Sequence, residues 1–480
     1  MATKNVLAVD LGNESGRVVN IAFDGEKITA RTRYRFMNHP VTVSGVLQWD
    51  VLNFFQQIQD GIIHATQETQ VAGVGVASFG VDFGLLDTRD RLIANPVHMR
   101  DSRTDSILEQ VHAQISEKDL FQRTGIGSHP INTLFQLASL VRDNDWQLQH
   151  AQTLLTMPNL INFWLTGEKL SEFTHSTTTQ CYSPAEGTWD TALLKQLNIP
   201  AHIFPQIVKP GECIGTYRDV PVYTVASHDT ASAVVAVPTE TPNYAYCSSG
   251  TWSLFGLEVA APITSDAALA AGVTNEGGYG GSYRMLSLIM GMWLVQECRR
   301  KWHMGDATAD YAIIFDVSAA EPFRSLMNPD NPLFFTPGDM PERIQQVCRE
   351  TGEPVPQTRP EIVRCIMESL ALKYDHVLRQ QIAASGQSVD VIHVVGGGAK
   401  NKLLCQMTAN ATGIPVEAGP VEATAIGNGL VQLIATGDIA NLDEARAVVR
   451  RSYPVKRYEP QDTEKWAAAR ERFARLLAVE

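Results

Sequence analysis

Between Val6 and Phe23 the chain alternates apolar and polar residues in two runs, separated by the polar loop Gly12-Asn13-Glu14-Ser15-Gly16. A period of two on either side of a glycine-bearing loop predicts two strands around a tight turn. The same plan returns at 244–258, where two alternating runs flank Ser248-Ser249-Gly250-Thr251. Two such hairpins nearly half a chain apart predict a duplicated architecture. The pattern elsewhere predicts a strand at 28–36, then a helix at 51–69 with Phe54, Phe55, Ile58, Ile62 and Ile63 at helical spacing. Strands are predicted at 71–78 and 81–86, joined by a bend at Phe79-Gly80, and helices at 104–115, 131–142 and 151–165. A strand at 220–226 runs into Ser227-His228-Asp229-Thr230, with a helix over 231–237. In the second half a long amphipathic helix is predicted at 360–384, and a strand at 389–395 runs straight into Gly396-Gly397-Gly398-Ala399-Lys400-Asn401. Helices at 402–411 and 424–435 flank a short strand at 415–418, and an amphipathic helix covers 466–477. Strands and helices interleave along the whole chain, the signature of an α/β fold.

Length turns this pattern into a domain count. A chain of 480 residues is too long for one core and predicts two domains, 1–240 and 241–480, with the boundary at Pro238-Thr239-Glu240-Thr241-Pro242. Hydrophobic content of 44% with 19% charged residues reads as a soluble globular protein. The formal net charge of −13 argues against nucleic acid or an anionic membrane as partner. Asp10 interrupts the apolar start, so neither a signal peptide nor a membrane span is expected. Seven cysteines without CxxC spacing fit a reduced, cytoplasmic setting. The metalloprotease HExxH, the P-loop GxxxxGK[ST] and a strand-to-helix GxGxxG are all absent. A phosphate site in this chain would therefore be built on hairpins.

Three places carry candidate chemistry. Asp10-Leu11-Gly12 with Gly16 and Arg17 suits a metal-bound phosphate: glycines admit backbone N–H groups to phosphate oxygens, and Arg17 adds a fork of donors. Asp10 would face Mg²⁺ through its waters. Asp229 closes a strand and opens a helix, where the helix dipole favours its ionised form; it reads either as a plain cap or as a general base. Gly396-Gly397-Gly398 allows a flat ring to lie against backbone, with Asn401 in reach of adenosine, although a glycine turn at a strand-to-helix junction is also a common structural device. Trp49 either packs or touches a sugar, and His393 reads as a core or edge histidine within its strand.

Asp10-Leu11-Gly12 with Arg17, Ser249-Gly250-Thr251 and the run from Val394 to Asn401 resemble the two phosphate motifs and the adenosine motif of the actin-like ATPases. Within that superfamily the chain resembles the FGGY carbohydrate kinases, and among them the rhamnulokinases. Phe79-Gly80-Val81-Asp82-Phe83, Arg100-Asp101-Ser102-Arg103-Thr104, Asn132-Thr133-Leu134-Phe135-Gln136-Leu137 and Ser227-His228-Asp229-Thr230-Ala231 carry the match, continued by Thr274-Asn275-Glu276-Gly277-Gly278 and Gly419-Pro420-Val421-Glu422-Ala423.

The resemblance implies two actin-like (RNase H-like) ATPase domains with an interdomain catalytic cleft. It implies Asp229 as the base; Gly80, His228, Asp229 and Thr230 at the sugar, with Asp82 near it; and Asn13, Glu14, Ser15, Gly16, Arg17, Thr251, Gln296 and Gly397 at ATP, joined by Asn401. Mg²⁺ would lie at Asp10 and Asp229. The implied reaction is phosphorylation of the 1-hydroxyl of L-rhamnulose by Mg-ATP, in a monomer or homodimer. Two departures bear on the sugar. Leu288 stands where rhamnulokinases usually carry a sugar-contacting Asn, and Ala77-Ser78-Phe79 replaces the more usual Asp-Thr-Trp. L-fuculose or a ketopentose therefore stays open as the substrate, and a non-catalytic sugar- or ATP-binding regulator is the remoter alternative.

Overall fold

In a computed structural model that describes residues 3–304 and 313–479, the N-terminal alternation forms strands Lys4–Leu11 and Ser15–Phe23, paired antiparallel with Asp10 directly opposite Arg17. The first strand pairs parallel with Val74–Ser78 on its other side. The sheet runs in the order Cys213–Tyr217, Val220–Tyr223, Val74–Ser78, Lys4–Leu11, Ser15–Phe23, Ile28–Met37. Both faces are covered, as near-continuous burial of the first strand requires. On one face lies the helix Val51–Glu68, whose N-terminus is capped by Asp50 accepting from the Asn53 backbone N–H. Its stripe Val51, Phe54, Ile58 and Ile62 packs with Leu7, Val9, Leu11, Val18 and Trp49 in one buried cluster. On the other face lies Ala423–Ala435, whose Asn428 and Gln432 amides donate to the carbonyls of Gly75 and Leu7, both at 3.0 Å. This helix also packs against Asp229–Val235. A side chain at Gly427 would sit 1.8 Å from the Ser232 carbonyl oxygen, so only glycine permits that approach.

The chain divides into two compact units. The first comprises residues up to Pro238 together with Glu258–Met285 and Glu422–Tyr453; the second comprises Thr239–Leu257, Leu286–Val421 and Pro454–Glu480. The sheet of the second unit repeats the plan of the first. Tyr244–Ser249 pairs antiparallel with Trp252–Val259, and parallel with Val391–Val395. Val416–Ala418 and Lys456–Tyr458 follow. The helix Arg359–Ser385 begins with a capping box between Thr358 and Glu361 and packs against Lys402–Thr412.

Several elements differ from the pattern read in the sequence. The stretch 151–165 is not one helix: Thr153–Thr156 is a strand paired with Phe83–Leu86, and the helix begins at Met157 with Pro158 in its first turn. The stretch 104–115 is divided at Ser106, whose φ of 60° interrupts any helix; a 3₁₀ turn, Ser102–Thr104, precedes it and Ile107–His112 follows. The helix Glu117–Thr124 was not expected, although Ser116 caps it and Gly125 ends it at φ 73°. The helices Trp293–Lys301 and Met340–Glu350 likewise lie outside the pattern the sequence predicts. All seven cysteines are free, and no described helix is long and apolar enough to cross a membrane.

Candidate active site

The strand register puts Arg17 across from Asp10, and Arg17 pairs with both Asp10 and Glu422. Glu422 stands just before the first residue of Ala423–Ala435. Burial raises the Asp10 pKa despite Arg17, and the charges of Asp229 and Glu422 push it the same way. The loop is held by Gly12 N–H donating to the Ser15 carbonyl at 3.1 Å, which leaves Asn13 and Glu14 exposed at its tip. Gly16 has a packing reason of its own: a side chain there would meet the Phe36 ring at 2.1 Å.

Asp229 opens the helix Asp229–Val235, with His228 as the N-cap residue. The Ser78 N–H donates to the Ser227 carbonyl at 2.9 Å, fixing this junction beside the strand Val74–Ser78. The Asp229 side chain is 31% exposed. Its Oδ1 accepts from the Thr230 N–H at 2.6 Å and the Thr230 hydroxyl at 3.2 Å, and His228 Nε2 lies 3.5 Å away. Gly80 makes room for that imidazole, since a Cβ there would stand 3.1 Å from Nε2. Thr230 is buried, its hydroxyl directed at Asp229.

Behind His228 lies a buried ionic group. The Arg284 guanidinium, fully buried, holds Nη2 3.0 Å from His228 Nδ1 and 2.9 Å from Glu276 Oε2, while its Nε donates to the Gly277 carbonyl at 3.0 Å. Burial would raise the Glu276 pKa, but Arg284 and His228 outweigh it and hold the carboxyl at about 2. His175 meets His228 edge-on at 5.9 Å, and burial keeps it neutral, its pKa pushed down to about 3. The sequence reading gives neither Glu276 nor Arg284 a role of its own; the signals were the place of Glu276 in the motif Thr274-Asn275-Glu276-Gly277-Gly278 and an arginine inside the apolar run that begins at Tyr283.

Asp82 is placed with no exposed surface. Trp49 Nε1 donates to its Oδ2 at 2.6 Å, the Met99 N–H to the same oxygen at 3.2 Å, and Gln136 Nε2 to Oδ1 at 3.1 Å. Burial raises its pKa to about 6. Trp49 is fully buried, so it packs and holds Asp82.

In the second unit, the carbonyls of Gly250 and Thr251 accept from the N–H groups of Met292 (3.2 Å) and Trp293 (3.1 Å), tying the loop to the start of Trp293–Lys301. Gln296 lies one turn along that helix, and its Oε1 is buried without a protein hydrogen bond. Gly396 takes φ 80°, and a Cβ on Gly398 would fall 2.1 Å from Ser249 Oγ, so the glycine turn is moulded against the second hairpin. Gly397 is exposed, with open space around it. Asn401 is buried and caps Lys402–Thr412 through Leu404 N–H, with its amide nitrogen against the sulfurs of Met292 and Met367. Leu288 is 38% exposed on the strand Tyr283–Met290, and His393 is a buried strand residue.

The carboxylates of Asp10 and Asp229 are hard oxygen donors, chemically suited to Mg²⁺. Among the described residues no ready-made cluster of three metal-ligating side chains exists. That donor set fits an ion that keeps most of its waters and takes the rest of its ligands from phosphate.

Residues 5–228 match the N-terminal domain, and residues 245–436 the C-terminal domain, of the FGGY family of carbohydrate kinases. A rhamnulokinase of Bacteroides thetaiotaomicron is 42% identical over 477 residues, spanning 97% of this chain and 98% of that protein. One from Enterobacter sp. (strain 638) is 39% identical, with 98% of each chain covered. Among solved structures, ligand-bound xylulose kinase from Lactobacillus acidophilus superposes with a TM-score of 0.81 at 18% identity, covering 99% of this chain and 97% of that one. Plasmodium falciparum glycerol kinase with ADP gives 0.78 at 16% identity, covering 98% and 97%. At those identities the structural likeness speaks to the fold.

Proposed function

This chain belongs to the FGGY family of carbohydrate kinases, and from that premise we propose that it transfers the γ-phosphoryl group of Mg-ATP to the 1-hydroxyl of L-rhamnulose, giving L-rhamnulose 1-phosphate and ADP. The observation that carries the mechanism is the Asp229 carboxylate: partly exposed, at a helix start, with one oxygen supplied with donors and the other open. Asp229 takes the proton of the sugar hydroxyl as that oxygen forms its bond to the γ-phosphorus. The bond from phosphorus to the β–γ bridging oxygen breaks in line, and ADP leaves with its electron pair. Arg17 exchanges Glu422 for a phosphate oxygen and neutralises charge as it spreads over the transferring group. Bound Mg²⁺, held by Asp10 and Asp229 through water, would supply further neutralisation of the phosphates.

Gly80, His228 and Thr230 shape the sugar site in this reading, with Asp82 acting from beneath through Trp49 and Gln136. Asn13 to Arg17, Thr251, Gln296 and Gly397 contact ATP, while Asn401 supports the adenosine turn by capping. In this reading residues 1–240 supply the sugar site, the base and the first phosphate loop, and residues 241–480 supply the second phosphate loop and the adenosine turn. The identity with two rhamnulokinases over nearly their whole length supports L-rhamnulose. Leu288 favours a second reading: an apolar side chain cannot make an amide's hydrogen bond to a sugar hydroxyl, so another ketose, L-fuculose or a ketopentose, is the competitor. ADP release with Mg-ATP across L-rhamnulose, L-fuculose, L-xylulose, D-xylulose and L-ribulose decides between them. A kcat/KM highest for L-rhamnulose supports the proposal; a higher value for any other ketose moves the substrate and keeps the chemistry.

A further inference from the structure

The base is backed by charged groups that the proposed chemistry does not use. A guanidinium only donates hydrogen bonds. Arg284 Nη2, 3.0 Å from His228 Nδ1, therefore meets that nitrogen as an acceptor, and a neutral ring then carries its proton on Nε2. Nε2 is the nitrogen that faces Asp229 Oδ1 at 3.5 Å. Oδ1 thus accepts two hydrogen bonds, from the Thr230 N–H and the Thr230 hydroxyl, and has the polar His228 Nε2–H as a further neighbour at 3.5 Å. Oδ2 has no hydrogen bond among the described residues. Glu276 Oε2 holds Arg284 at 2.9 Å and is itself 3.3 Å from His228 Nδ1. If Arg284 were gone, Glu276 would become the acceptor for an Nδ1–H, and the proton would leave Nε2.

We infer that Arg284 and Glu276 are positioning residues for the base: they fix His228 in its Nε2–H tautomer, which turns a polar N–H toward Asp229 Oδ1 beside the two Thr230 donors and leaves Oδ2 as the oxygen that takes the sugar proton. The inference rests on the phosphoryl-transfer reading above for its catalytic meaning, and on the buried geometry alone for the tautomer. The ring's plane is fixed by its edge-on contact with His175 and by the space left at Gly80, so the choice of tautomer is the variable the ionic pair controls.

Full-chain protein labelled with ¹⁵N-histidine, studied above the histidine titration range, gives a direct test. Two-bond ¹H–¹⁵N spectra, with His228 assigned by its loss in H228N, should show Nε2–H in the wild type and Nδ1–H in R284M. Should R284M fail to fold with Glu276 left unpaired, E276Q/R284M removes both charges and should abolish the Nε2–H preference, giving a mixture of the two tautomers. With L-rhamnulose, either variant should lower kcat about 10- to 100-fold while KM for ATP stays within about twofold. Adding the same substitution to H228N should change kcat by no more than about twofold, because the effect travels through His228. An Nδ1–H tautomer in the wild type, an unchanged tautomer in the folded variants, or an equal fall in kcat on the H228N background would each overturn the inference. Absence of turnover by the wild type with every ketose would instead strike the proposed function, and the spectra would still decide the tautomer.

Discussion

The two hairpins of this chain have the same skeleton and different chemistry. In each, an antiparallel partner lies on one side of the leading strand and a parallel strand on the other: Ser15–Phe23 and Val74–Ser78 around the first, Trp252–Val259 and Val391–Val395 around the second. The first loop is flanked by a cross-strand pair of opposite charges, Asp10 and Arg17, with Glu422 as a third member. The second carries hydroxyls and small residues: Ser249 against Gly398, and Ser253 Oγ 2.7 Å from the Tyr374 hydroxyl. In the proposed reaction the skeleton supplies a turn that can approach a phosphate with its backbone. The side chains on it set the character of each loop: charged at the first, small and hydroxyl-bearing at the second.

This contrast makes the first unit the place where substitution should cost most. Asp229→Asn keeps the size of the side chain but removes the proposed proton acceptor, and kcat should fall about 10²- to 10⁴-fold with KM for ATP little changed; steady-state ADP release measures it. Arg17→Met should lower kcat about 10²- to 10³-fold, since it removes a charged donor to the transferring group. Its counterpart Thr251→Val removes a neutral donor and should raise KM for ATP by about tenfold at most. Equal losses from the Arg17 and Thr251 variants would break the comparison.

Legibility in the sequence followed the same division. Both hairpins, the helix Val51–Glu68 and the helix Arg359–Ser385 could be read because periodic burial is a local property of the chain. The strand Thr153–Thr156 could not, because its apolar run fits either period and its pairing with Phe83–Leu86 is set by residues about seventy positions away. The return of Glu258–Met285 and Glu422–Tyr453 to the first unit leaves no mark in hydropathy at all. Within the site, Asp10, Arg17 and Asp229 stood out through residue type at a turn. Glu276, Arg284 and the Trp49–Asp82 bond did not, since the first two are eight residues apart but act on His228, 56 positions from Arg284, and the bond spans 33 positions. Asn401 reads as a ligand contact by position, and what sequence does not show is that its Oδ1 also caps the helix that follows.

The glycine turn sharpens the comparison by stability. A methyl at Gly398 meets Ser249 Oγ, and Gly398→Ala should destabilise the protein by about 1–3 kcal/mol in urea unfolding. Gly397→Ala points into open space and should stay within about 0.5 kcal/mol. The smallest effect concerns pH. Burial raises Glu172, in the first unit, from 4.5 to about 7 against the pull of its bonds from Thr174, Ser227 and His175. The folded protein therefore keeps a proton that the unfolded chain loses, and stability falls as pH rises from about 4.5 to about 7. Glu172→Gln should flatten that slope by roughly 1 kcal/mol per pH unit, read from urea midpoints across the window.

The most direct test of the central claim is the identity of the product. Incubation of the wild-type protein with Mg-ATP and ¹³C1-labelled L-rhamnulose, followed by ³¹P and ¹³C NMR, should show phosphorus coupled to C1 and one ADP formed per sugar phosphorylated. Phosphorus coupled to another carbon, or ADP formed without any sugar phosphate, would contradict it.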